Sequence, residues 1–148
     1  MKTSNPEPTD LSFRERCARF LRAERERQKI SQEELAVRAG FHRTYVSHME
    51  RAVQNMSLEN VESLMQVLGL QTSKEGPMLL KRFAESLRKA RLERGLSQEK
   101  LGEVAGVHRT YVSQAERGVV SISIDSVERL ALALDIPPED LVGFKAHY

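Results

Sequence analysis

Apolar residues recur along this chain at intervals of three and four, and a capping residue precedes most of these stripes, which predicts a series of short helices. Phe13, Cys17, Phe20 and Leu21 form the first stripe, behind Ser12 with Glu15 three positions on, and predict a helix from Phe13 to about Gln28. Arg25 continues that stripe one turn beyond Leu21, so its charge is steered inward and calls for a carboxylate. Ser31, with Glu34, opens a second, short helix that ends at Gly40 and turns Leu35 and Ala39 inward. Gly40 and Phe41 make a tight turn and His42 stands at the N-cap. A third helix then runs from Arg43 to about Arg51 with Val46 and Met49 inward. Ser57 caps a fourth, Leu58 to about Leu68, whose Leu58, Val61, Leu64 and Leu68 complete a core.

The pattern then starts again. Ser31 to Arg51 reads SQEELAVRAGFHRTYVSHMER and Ser97 to Arg117 reads SQEKLGEVAGVHRTYVSQAER, an offset of 66 positions. At that offset about half of the positions from Leu21 to Leu70 match Leu87 to Ile136, the mark of a duplicated structural unit. In the second round Leu80, Phe83 and Leu87 form the first stripe and Arg91 repeats Arg25. Gly95 ends that helix, Ser97 caps the next, Gly106 is the turn, Arg109 to Arg117 is the third helix, and Ser123 caps the fourth. Pro137, Pro138, Glu139 and Asp140 begin a short fifth helix reaching about Gly143. In each copy, two short helices around a glycine turn make a helix-turn-helix motif.

The chain therefore divides into a proline-containing arm over 1–9, read as disordered, and two all-α helix-turn-helix domains. These span 10–70 and 78–148, with a polar linker at 71–77 that ends in Gly76 and Pro77. Domains this small sit near the lower limit of autonomous folding, so each leans on the other or on a second chain. Two positions separate the halves: Lys29 and Ala52 stand where the second copy has Gly95 and Gly118. A residue with a Cβ at a left-handed helix end costs about 1 kcal/mol, so the first domain is expected to be the less stable half or to use different turns.

Composition narrows the function. A net charge of +2 is too mild to announce a nucleic-acid binder, so that case rests on where the charges sit. The single cysteine, Cys17, excludes an internal disulfide, argues against a cysteine-based zinc cluster, and aligns with Phe83, which makes it a packing residue. No stretch approaches the roughly 18 apolar residues of a membrane span, and a soluble protein of the cytoplasm, associated with the nucleoid, is expected. There is no phosphate-cradling glycine loop, no H-E-x-x-H and no cysteine–histidine pair, so neither an enzyme nor a metal or other cofactor is expected. Nothing is left over for a small-molecule sensor once both repeats are assigned.

The twice-present SQEEL…AG.HRTYVS..ER pattern resembles the XRE or Cro/repressor family of helix-turn-helix DNA-binding domains, over nearly the whole chain from the first helix onward. That resemblance implies two tandem lambda-repressor-like domains of four to five short helices each. HRTYVSHMERAVQNMS is similar to what controller proteins of restriction-modification systems carry, a class of single-domain dimers, whereas here the second domain is covalent. What it implies is a sequence-specific regulator of transcription, repressor or autoregulator, with double-stranded DNA as partner. A homodimer is compatible with it. The rival reading is an antitoxin-like or scaffolding protein in which one domain holds DNA and the other a protein.

In such domains the start of the third helix enters the major groove, which corresponds to Arg43, Thr44, Ser47 and His48, and to Arg109, Thr110, Ser113 and Gln114. Helical spacing independently sets these residues on the face opposite Val46 and Met49. Arginine can clamp guanine with two hydrogen bonds, and threonine and serine can donate, accept or meet the thymine methyl. Gln32 and Gln98 look like the family's phosphate-clamping glutamines, beside the free N–H groups of their helix starts. Arg51 and Arg117 are backbone-contact candidates. Tyr45 and Tyr111 either reach a phosphate or cover the core, and His42 and His108 read as N-cap residues rather than base readers. Glu50 and Glu116 end the inward face, and the family sets an arginine of the first helix against this glutamate. The implied structural ion pairs are Arg25 with Glu50 and Arg91 with Glu116.

Overall fold

Side-chain caps set where seven of the nine described helices begin. In the computed structural model, which describes residues 11–70 and 78–144, Ser12, Ser31, Ser57, Ser97 and Ser123 each accept a hydrogen bond from the amide three residues on. His42 and His108 use Nδ1 to hold the amides of Thr44 and Thr110 at 3.1 and 3.0 Å, so both are the N-caps that the sequence indicated. The helices are α1 (Phe13–Arg27), α2 (Gln32–Ala39), α3 (Arg43–Glu50) and α4 (Leu58–Val67) in the first half. The second half holds α5 (Leu79–Glu93), α6 (Gln98–Ala105), α7 (Arg109–Arg117), α8 (Ile124–Ala133) and the short α9 (Glu139–Val142). The expected arm (1–9) and linker (71–77), with Pro77, lie outside the described residues.

Each half packs its recognition-type helix against its first helix and the helix before the turn, with Phe13, Leu21, Leu35, Val46 and Met49 buried in one and Leu79, Leu87, Leu101, Val112 and Ala115 in the other. These are not two separate cores. One continuous apolar cluster runs through both, joined where α1 meets α8 and α4 meets α5. Cys17 lies inside it, 1% exposed, in the packing role its alignment with Phe83 indicated.

Ala39 is half-buried and packs against the core, in keeping with its inward placement, and the fully buried small residue of α2 is Ala36, one turn earlier. Its counterpart Gly102 sits tighter still: a Cβ there would stand 2.7 Å from the carbonyl oxygen of Val107, so that half would have to shift to accept even alanine. At the helix ends the first half could either keep the strained turn or change it, and it keeps it. Lys29 and Ala52 keep the left-handed turns, at φ 58° and 56°, where Gly95 and Gly118 both have 66°. The closing bonds match as well: the Ile30 amide donates to Arg25 O at 3.2 Å and the Leu96 amide to Arg91 O at 3.2 Å. The first half has kept the turn and accepted its strain.

Candidate nucleic-acid interface

The C-terminal ends of α3 and α7 are each fixed by a buried ion pair. Arg25 donates to Glu50 through Nε at 2.5 Å and Nη2 at 2.9 Å, and through Nη1 to the carbonyl of Ile30 at 2.8 Å. Arg91 repeats the set, with Glu116 at 2.8 to 3.1 Å and the Leu96 carbonyl at 2.8 Å. Both pairs named from sequence are present, and the glutamate side chains are 1% and 3% exposed. The hydrogen bond that Arg25 donates to Glu50 raises its pKa further, so this charge persists at any ordinary pH.

A third member completes each network. The side-chain amide of Gln32 donates to Glu50 at 2.8 Å and that of Gln98 to Glu116 at 3.2 Å. Because a carboxylate only accepts, this bond fixes the amide orientation and leaves one N–H and the carbonyl of each glutamine for another partner. Sequence reasoning placed these glutamines at the surface rim and missed that they are braced from behind.

Away from these ion pairs, the faces of α3 and α7 that the sequence assigned to DNA are open to solvent. Arg43, Thr44, Arg109 and Thr110 are exposed, and Ser47, His48, Ser113 and Gln114 are half-buried beside them on the same side of α3 and α7. In the second half Gln98, Arg109, Thr110 and Ser113 line one open groove of about 560 Å³ between the start of α6 and the start of α7. Arg51 and Arg117 are exposed at the far ends of the two helices.

Tyr45 is engaged in packing: its ring lies 4.8 Å from Phe41, and its hydroxyl accepts from Asn60 at 3.0 Å. Burial lifts its pKa, with the Asn60 bond opposing, so the phenol keeps a proton to donate. Tyr111 is half-buried against the core.

The arrangement can lay a short polar row, flanked by arginines, into a groove wide enough for a helix, while the helix N-termini beside Gln32 and Gln98 present free N–H groups to anions. Such a surface is what a helix-turn-helix DNA-binding protein requires. Family comparison agrees in both halves: a helix-turn-helix domain profile matches residues 16–75 and a helix-turn-helix profile matches residues 87–141. Control protein C.BamHI of Bacillus amyloliquefaciens is 41% identical over 63 residues, which are 42% of this chain and 78% of that protein. Control protein C.SmaI of Serratia marcescens is 40% identical over 53 residues, 36% of this chain and 63% of the relative. A hypothetical transcription factor of Neisseria meningitidis serogroup B is 40% identical over 60 residues, covering 40% and 57%. The chain belongs to the XRE-type helix-turn-helix family and carries two such domains in tandem. It is a DNA-binding transcriptional regulator similar to restriction-modification controller proteins. Among the described residues no helix is long and apolar enough to cross a membrane.

Proposed function

We propose that one chain reads two related half-sites on a single duplex, one through α3 and one through α7. The observation that carries this reading is the repetition, on two exposed helix starts, of the same side chains: Arg43, Thr44 and Ser47 in one, Arg109, Thr110 and Ser113 in the other. In this reading those residues, with His48 and Gln114, meet base edges. Gln32, Gln98, Arg51 and Arg117 hold phosphates, Gln32 and Gln98 with the N–H that Glu50 and Glu116 leave them. Tyr45 and Tyr111 flank the groove, where a phenol proton can reach a phosphate oxygen. The DNA target sets the protein in the cytoplasm, at the nucleoid. A homodimer would offer four reading helices and protect correspondingly more DNA.

Selection from a random duplex pool, at a stated salt concentration because phosphate contacts make affinity salt-dependent, tests the assignment. The parent protein should enrich two similar half-sites, and Arg43→Ala and Arg109→Ala should each relax one base position in one of them. Enrichment of identical sequences by the parent and both variants would refute the assigned reading faces.

A further inference from the structure

At the centre of the junction between the two halves the contacts are reciprocal under the 66-residue offset. Ser57 and its counterpart Ser123 form an antiparallel bridge with each other. Around it the Leu58 amide donates to Ile122 O at 2.8 Å, and the Ile124 amide donates to Met56 O at 2.7 Å, the same bond with the halves exchanged. Further out, the carboxylate of Glu62 in α4 accepts from the Leu79 amide at the start of α5 at 3.0 Å. Its counterpart Glu128 in α8 accepts from the Phe13 amide at the start of α1 at 2.5 Å. The pairs Asn55 with Asp125 and Ser121 with Glu59 also exchange under the same offset. A contact set in which i meets j and the counterpart of i meets the counterpart of j in return is the signature of a two-fold axis, here passing between Ser57 and Ser123.

Two domains related by translation would make head-to-tail contacts and suit a direct repeat. Domains related by a two-fold axis present their reading helices in opposite senses and match the dyad of an inverted repeat. Six positions separate Arg51 from Ser57 and Arg117 from Ser123, so each reading helix ends no more than about 20 Å from the axis. That reach accommodates the roughly 34 Å between major grooves on one side of B-DNA. Met56, Leu58, Ile122 and Ile124 beside this axis are all buried, so the two halves cover each other's apolar side chains there.

The two reading faces are not identical. Arg, Thr and Ser recur, but His48 stands where the second half has Gln114, one turn along from Thr44 and Thr110. Glutamine pairs with adenine through N6 and N7, a bidentate pattern that an imidazole cannot reproduce. We propose that a single chain occupies an inverted-repeat operator with a fixed polarity, and that the His48/Gln114 difference tells its two halves apart. This rests on the DNA-reading assignment above and adds the order, orientation and asymmetry of the complex.

The test uses the full chain and its His48→Gln variant on duplexes built from the selected half-sites. These are arranged as inverted or direct repeats, and as mixed or matched pairs of the His-type and Gln-type halves. One chain per duplex is expected by native mass spectrometry, with the direct repeat bound about 100-fold or more weakly because only one domain can engage. The parent should prefer the mixed inverted repeat over either matched one by about fivefold or more, and His48→Gln should move the preference to the matched Gln-type operator. Two chains on one inverted repeat, equal binding to the direct repeat, or an unchanged ranking in His48→Gln would overturn the proposal while leaving DNA reading intact. Absence of any sequence preference in the parent would bring down the DNA-reading assignment and this proposal with it.

Discussion

Replacing Lys29 and Ala52 with glycine should stabilise the protein, although neither change adds a contact. Both residues hold left-handed backbone, at φ 58° and 56°. That geometry costs a residue with a Cβ about 1 to 2 kcal/mol, of which glycine's greater freedom in the unfolded chain takes back about 0.5 to 1 kcal/mol. The net gain is about 0.5 to 1 kcal/mol per site. The second half supplies the mirror experiment. A Cβ at Gly95 meets nothing within 4 Å, and one at Gly118 meets only the Ala84 Cβ at 3.8 Å, an ordinary contact. Gly95→Ala and Gly118→Ala therefore isolate the backbone term and should destabilise by a similar amount. Urea titration is the assay: the midpoint should rise for Lys29→Gly and Ala52→Gly and fall for the two alanine variants, with the slope unchanged. For a chain of this size the melting temperature should move by about 2 to 4 °C per kcal/mol. Lower midpoints for the two glycine variants would refute the claim that the first half carries this strain.

Three further outcomes follow from the buried groups and the reading faces. Arg91→Leu strands the Glu116 carboxylate in the core and should cost about 3 to 5 kcal/mol in urea titration, with DNA binding retained at temperatures where the variant is folded. Burial pushes the Cys17 thiol pKa up, so the stability from keeping it protonated is fully present below the unfolded thiol's value of about 8.5 and is lost as pH rises above it. Unfolding midpoints measured from pH 7 to pH 10 should therefore fall more steeply for the parent than for Cys17→Ala, and Cys17 should react with thiol reagents only on unfolding. Gln98→Leu should weaken binding to all duplex sequences alike, whereas Arg109→Ala should lose preference at one base pair only, as read by competition against a panel of single-base operator variants.

The sequence made local features readable. Caps at Ser12, Ser31, Ser57, Ser97 and Ser123 and stripes such as Phe13, Cys17 and Leu21 give the helices, because both are set within one or two turns. Arg25 and Arg91 revealed their partners because a charge on an apolar stripe demands one, and the family pattern supplied the glutamate. The cross-domain capping by Glu62 and Glu128 was not readable. On α4 and α8 each looks like an ordinary polar residue in a mixed stripe, and only the meeting of residues far apart in the chain gives it a partner. The bracing of Gln32 and Gln98 escaped for the same reason: a rim glutamine looks the same in sequence whether its amide faces DNA or a buried carboxylate. The kept turns at Lys29 and Ala52 were open at the sequence level because local strain and a changed turn differ only in φ.

The most direct measurement is a DNase footprint of the full chain on an operator recovered by selection, at a protein concentration where one chain is bound per duplex. Protection spanning both half-sites, lost on one side in Arg43→Ala and on the other in Arg109→Ala, is the predicted result. Protection of a single half-site by that one chain would contradict the account of two reading helices acting on one duplex.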